Sequence, residues 1–352
     1  NRLSRQRHMK ISPALCIALS AARQRFRQSA RYASSLALCL ACATAWPAGT
    51  GTSVDAYPAK SIRVIVATSA SGGTDFVARI MGQKLAEILG QSVVIDNRPG
   101  ATGLIGMEIV ARALPDGYTF LIMNVGHLIA ALLREGGSDI TRDLLPASNL
   151  ASTPVMLVVH PSVPARSLAE FLALAKSQPG RINYASGGIG GVQHLSTELL
   201  KREARIDLVH VPYKGTGPGL VDLLAGQVEV TLTSVPSVIP HVNAGKLRAF
   251  AVTGQARLSS APDVPTFAES GLAGVNVVIW YGMLAPLSTP RTIMDRLAHA
   301  IAQIAKSPDV RERMLRDGAE PIGSSPADYA RYFSSERDKW LKVTRETGLL
   351  KG

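Results

Sequence analysis

The chain has 352 residues, of which 46% are hydrophobic and 18% charged, which excludes a disordered polypeptide and leaves room for two domains and a sizeable core. Its net charge of +12 invites a nucleic-acid reading. However, eight of the 38 Lys and Arg and none of the 26 acids fall within residues 1–54, so the remainder carries only +4. That remainder has no basic helix and no aromatic–basic interleaving, so no nucleic-acid partner is expected.

The first 56 residues read as an export leader. Arg23 to Arg31 is basic, Ala33 to Trp46 is a short apolar run, and Val54-Asp55-Ala56 offers small residues for a cleavage site. The apolar run of about 14 residues is shorter than the roughly 20 that a transmembrane helix needs. A retained anchor or a disordered tail is the competing reading. A second apolar patch at Ile11–Ala22 makes the segment long, and an internal true start, beyond Met9, is the alternative. Cys16, Cys39 and Cys42 all lie here, so the exported protein has neither disulfides nor a thiol nucleophile.

The body alternates strand-like and helix-like segments, which predicts an α/β architecture. Strands are expected at Ile62–Thr68, Ser92–Asp96, Thr119–Met123, Val155–His160, Asp207–Val211, Val228–Thr233, Leu247–Val252 and Val275–Tyr281. Helical periodicity is found at Asp75–Leu89, Gly103–Ala113, Ser167–Ser177, Gln193–Arg202 and Gly217–Ala225. Turn sequences separate these elements, among them "RPGATG" at 98–103 and "LPDGY" at 114–118. After Pro286 the pattern becomes helical. One helix places Ile293, Leu297, Ile301 and Ile304 on one face, a second starts near Pro308, and a third starts at Ser325-Pro326.

Three glycine-bearing loops carry the candidate chemistry. In "SASGGTDF" at 69–76 a strand, a glycine pair and a helix start form an anion site, in which Gly72 and Gly73 admit a ligand and Thr74 or Asp75 caps the helix. It lacks the Lys-Ser/Thr of a phosphate loop and is not a GxGxxG fingerprint. A plain strand-to-helix corner explains it as well. "INYASGGIGGVQHL" at 182–195 repeats the plan with Ser186, Gly188, Gly190 and Gly191. Ser186 reads as a hydrogen-bond donor and not as a nucleophile, because the stretch is not a G-x-S-x-G elbow. "HVPYKGTGPG" at 210–219 adds Tyr213 and Lys214, with a solvated lysine the alternative. His127 follows a strand and borders a cleft. The histidines show no zinc spacing, and no carboxylate pair or Ser/His/Asp set assembles. No metal, no cofactor and no catalysis are therefore expected. The rival is an α/β enzyme using Ser186 or Asp75, which would need a base that the sequence does not display.

From Tyr57 onward the motifs resemble the Bug-type receptors of tripartite tricarboxylate transporters. The resemblance rests on "YPAKSIRVIV", "GGTDFVARIMGQKLAEILGQSVVIDNRPGATGLIG", "YASGGIGGVQHLSTELL", "HVPYKGTGPGLVDLLAGQVEV" and "WYGMLAP". It implies a type II periplasmic-binding-protein fold of two α/β lobes joined by two crossing segments, Thr153–Pro161 and Val275–Pro286, with the ligand cleft between them. Lobe 1 would comprise 57–156 and 279–352, and lobe 2 would comprise 157–278. The resemblance also implies a periplasmic receptor that closes on a small carboxylate, with membrane permease subunits as partners. A sensory role toward a membrane kinase is the alternative. Ser71, Gly72, Gly73, Thr74 and Asp75 from one lobe, with His127, Ser186, Gly188, Gly190, Gly191, Tyr213 and Lys214, are the expected contacts. Backbone N–H groups and small hydroxyls would hold the carboxylate, and Asp75 would meet an amine if the ligand were an amino acid. Ala67–Gly72 stands where the family has a proline-rich "PFPPGG" entry, and Ala130-Ala131 where it has Asn-Pro.

Overall fold

The computed structural model describes residues 57–134 and 140–346. The expected leader and cleavage site lie outside the described residues. No helix among those described is long and apolar enough to cross a membrane.

The first half of the structure grows from β1 (Ile62–Val66), whose β-branched run is almost fully buried. It pairs in parallel with β2 (Val93–Asn97) and β3 (Thr119–Asn124). Parallel pairing requires crossovers. These are α1 (Gly73–Leu89) and α2 (Leu104–Ala111). The short α3 (Val125–Leu132) follows β3 directly. Two long antiparallel strands then join the halves. β9 (Val278–Pro286) pairs with β3 and with β4 (Leu144–Val159). β4 pairs with β9 from Leu144 to Pro154 and with β7 (Val230–Ser234) and β8 (Arg248–Val252) beyond Val155. β7 continues in parallel to β5 (Asn183–Ser186), and β5 to β6 (Val209–Pro212). Among the described residues the order is β2-β1-β3-β9-β4-β7-β5-β6.

The second half is covered by α4 (Leu168–Ser177), α5 (Val192–Ala204), α6 (Thr216–Leu224) and α7 (Val235–Asn243). The chain returns through β9 to α8 (Arg291–Lys306), α9 (Pro308–Arg316) and α10 (Pro326–Glu346), with the two-residue β10 (Glu320–Pro321) against β4. The predicted stripe Ile293, Leu297, Ile301 and Ile304 on α8 is buried, each side chain stabilising by about 1.5–3 kcal/mol. A buried hydrogen bond from Trp280 Nε1 to Glu336 Oε2 at 3.0 Å ties α10 to β9.

Two expectations required revision. The strand expected at Val155–His160 reaches back to Leu144. Pro146, Ser148, Asn149 and Pro154 erase its alternation, and its burial comes from the neighbouring strands. Helices α3 and α7 were not expected. Every residue of α3 is buried, so it shows no polar face, and α7 contains Pro236 and Pro240.

Candidate ligand cleft

A cavity of about 320 Å³ opens where the carboxyl ends of β1, β2, β5 and β6 meet. Ligands bind at such strand ends in open α/β sheets because the loops there are free to vary. One wall is Ala67–Thr68, the 99–103 loop and His127, and the other is the 187–189 and 212–215 loops.

The 99–103 wall is strained. Gly100, Ala101, Thr102 and Gly103 have φ of 123°, 46°, 49° and 91°. Left-handed backbone costs an L-residue about 1–2 kcal/mol, so the two non-glycine residues here must be held by their surroundings. Thr102 Oγ1 donates across the cavity to the Ile189 carbonyl at 3.0 Å. A second bond runs from Gly217 N–H to Ser69 Oγ at 3.1 Å. The two walls approach so closely that a Cβ on Gly217 would lie 2.5 Å from the Ala70 carbonyl, and one on Gly126 would lie 2.7 Å from the Val192 nitrogen. Several of these glycines therefore serve close approach of the walls.

His127, Gly188, Tyr213 and Lys214 line the cavity, whereas Ser71–Asp75, Ser186, Gly190 and Gly191 do not. His127 is fixed by a capping box. Its Nδ1 accepts the Asn124 N–H at 2.9 Å, while the Asn124 side chain accepts from Gly126 and His127. Nδ1 is thus the acceptor, and the neutral ring carries its proton on Nε2. Burial lowers its pKa to about 4. Lys214 is exposed at the cavity rim and forms no ion pair among the described residues. The Tyr213 hydroxyl is already engaged, donating to Asp222 Oδ2 at 2.7 Å, and burial and that carboxylate push its pKa up to about 12.

The first glycine loop does not line this cavity, and its polar side chains are engaged within the protein. Gly72 is the N-cap of α1, with no side-chain cap bond, so neither Thr74 nor Asp75 caps the helix. Asp75 is 4% exposed. Its carboxylate accepts from the Ser71 N–H at 3.1 Å, Arg79 Nε at 2.9 Å and Asn97 Nδ2 at 3.0 Å. Those three bonds take three of its roughly four acceptor sites, two on Oδ2 and one on Oδ1. Thr74 accepts from Asn124 Nδ2 at 2.9 Å. Gly73 packs against the Tyr281 hydroxyl and Ser234.

In the second loop the N–H groups expected to hold a carboxylate are spent internally. Gly187 donates to Gln193 Oε1 at 2.6 Å, Gly188 to Ser186 Oγ at 3.2 Å, Gly190 to His194 Nδ1 at 3.2 Å and Gly191 to the Gly188 carbonyl at 3.2 Å. Ser186 also has the base that was not visible in the sequence, His210 Nε2 at 2.6 Å. The register explains it. Tyr184 pairs with His210 across β5 and β6, and Tyr184 and Ser186 share one sheet face. Ser186 is 1% exposed, does not itself line the cavity, and accepts the N–H of the lining residue Gly188, so this pair braces the loop.

Sequence reasoning missed the 99–103 loop as a wall. The signal was present in "RPGATG", where two glycines bracket two residues, but it read as a turn only.

Two α/β halves closing on one cavity, with strands crossing between them, define a periplasmic-binding-protein type of receptor. The chain belongs to the tripartite tricarboxylate transporter family receptors, whose TctC family model matches residues 77–349. Protein BugT of Bordetella pertussis is 35% identical over 299 residues, covering 84% of this chain and 92% of BugT. The solved periplasmic binding protein BugD superposes with a TM-score of 0.79 at 32% identity, covering 84% of this chain and 99% of that one. Rpa4515 of R. palustris, solved with adipate, gives 0.78 at 34% identity, with 83% and 98% covered. MatC of Rhodopseudomonas palustris, solved with malate, gives 0.76 at 33% identity, with 82% and 99% covered.

Proposed function

We propose that this protein is an exported, non-catalytic receptor that captures a small carboxylate in the 320 Å³ cavity and presents the closed form to membrane permease subunits. The observation that carries the reading is the donor set on one cavity. The Nε2–H of neutral His127 and the Lys214 ammonium offer protons, and among the described residues no carboxylate side chain lines the cavity. Relatives solved with adipate and malate support the same ligand class. Lobe 1 is 57–156 with 279–352 and lobe 2 is 157–278. This division is supported by the change of partners of β4 between Pro154 and Val155. The leader at 1–56 directs export to the periplasm. Ser186 braces a loop instead of attacking a substrate, since its hydroxyl is buried off the cavity.

A thermal-shift panel of dicarboxylates, amino acids and aromatic acids tests this. A ligand at 100 times its Kd stabilises by about 2.7 kcal/mol, a shift of several degrees. No shift with any acid contradicts the proposal.

A further inference from the structure

The rings of Tyr184, His210 and His194 form one stack behind the 186–191 loop. Tyr184 lies 4.8 Å from His210 and His210 4.2 Å from His194, centroid to centroid, with interplanar angles of 14° and 13°. The stack is anchored at its base, where the Tyr184 hydroxyl donates to Glu198 Oε1 at 2.8 Å. At its other end His194 Nδ1 accepts the Gly190 N–H at 3.2 Å. Gly190 follows Ile189, whose carbonyl receives Thr102 Oγ1 from the opposite wall. A short path therefore runs from one imidazole nitrogen to a bond that crosses the cleft.

We propose that His194 is a positioning residue for the closed cleft: its neutral ring fixes Gly190, and with it the Ile189 carbonyl that Thr102 reaches, and protonation releases both. An imidazolium carries N–H at both nitrogens and cannot accept from Gly190. The Ser186–His210 contact is different, because a protonated His210 can donate to Ser186 Oγ, so the sensitivity resides in His194. The ionisable groups facing His194 are Tyr184 on β5, His210 on β6, and Glu198 and Lys201 on α5. Lys201 is shared between Glu198 at 3.0 Å and Asp207 at 3.6 Å. Burial holds the His194 pKa below its usual value, Glu198 opposes that, and Lys201 reinforces it. The Gly190 bond is therefore intact near neutrality and is lost as the pH falls below the ordinary histidine range. This inference rests on reading the cavity as the ligand site.

The test is an NMR titration of the full chain without ligand, from pH 8 to pH 4, following the His194 ring and the Gly190 amide. The Gly190 amide is expected to shift with the His194 midpoint. Its exchange protection, corrected for intrinsic rates, is expected to fall about tenfold. In His194→Asn, whose Oδ1 takes the place of Nδ1, protection should stay high and independent of pH. In His194→Leu it should be low throughout. A Gly190 amide indifferent to the His194 titration overturns the proposal. So does a His194→Asn protein that retains the wild-type pH dependence, and so does a His194 ring that stays neutral to pH 4 beside an unchanged loop. If His194→Leu does not fold, the Asn comparison decides. A linked titration in a protein that binds no carboxylate sinks the receptor reading and leaves this one standing.

Discussion

Gly217→Ala separates closure from folding. Gly217 lies in the first turn of α6, where its φ is not in the left-handed region, so alanine fits the backbone. The added methyl would nevertheless sit 2.5 Å from the Ala70 carbonyl and 3.2 Å from Ser69 Oγ, both on the opposite wall. A clash against backbone is relieved only by moving the walls apart, and overpacking of this kind costs about 1–3 kcal/mol. That cost falls on the closed form alone, which predicts roughly 5- to 150-fold weaker ligand binding. The ligand-free protein should be unchanged or more stable by about 0.5–1 kcal/mol, because alanine restricts the unfolded chain and favours helix. Calorimetric titration with the acid that most raises the wild-type melting temperature reads the first effect, and urea unfolding without ligand reads the second. Wild-type affinity in Gly217→Ala would refute the view that these walls meet when ligand binds.

Two further outcomes follow from the buried polar groups. Asp75→Asn loses the ion pair with Arg79 and weakens the bond from Ser71. It should destabilise the ligand-free protein by about 1–3 kcal/mol in urea while leaving affinity within about twofold. Loss of affinity at unchanged stability would return Asp75 to the ligand. His127 has its pKa lowered from 6.5 to about 4 by burial. Its contribution is complete above pH 6.5 and is lost as the pH falls toward 4, because the unfolded chain takes up the proton first. From pH 7 to pH 5 the wild type should therefore lose about 2 kcal/mol more than His127→Asn, whose Oδ1 can still accept from Asn124. Equal losses in urea unfolding at the two pH values would contradict the buried neutral ring.

Most of the frame was legible because local pattern and tertiary role agree in it. The β-branched run before Gly72 and the α8 stripe are buried as their patterns indicate, and α10 begins at Pro326 as its start signal indicates. β4 was read short because a strand held between two partners needs no alternation of its own. The site was harder to read. Glycine loops at helix starts look like anion cradles. Here Gly187, Gly188, Gly190 and Gly191 give their N–H groups to protein acceptors, three of them to side chains. Sequence spacing cannot show that His210, 24 residues from Ser186, comes to 2.6 Å of it through strand register. Nor does a turn sequence announce that Thr102 will reach Ile189, 87 residues away.

A crystal structure with the panel acid that binds most tightly shows where the acid sits. A carboxylate is expected in the cavity between the 99–103 and 187–189 loops, within hydrogen-bond reach of His127 Nε2 or Lys214 Nζ. A carboxylate held instead at the Gly72–Asp75 helix start or on the Gly190–Gly191 amides, or no acid that binds at all, would contradict that expectation.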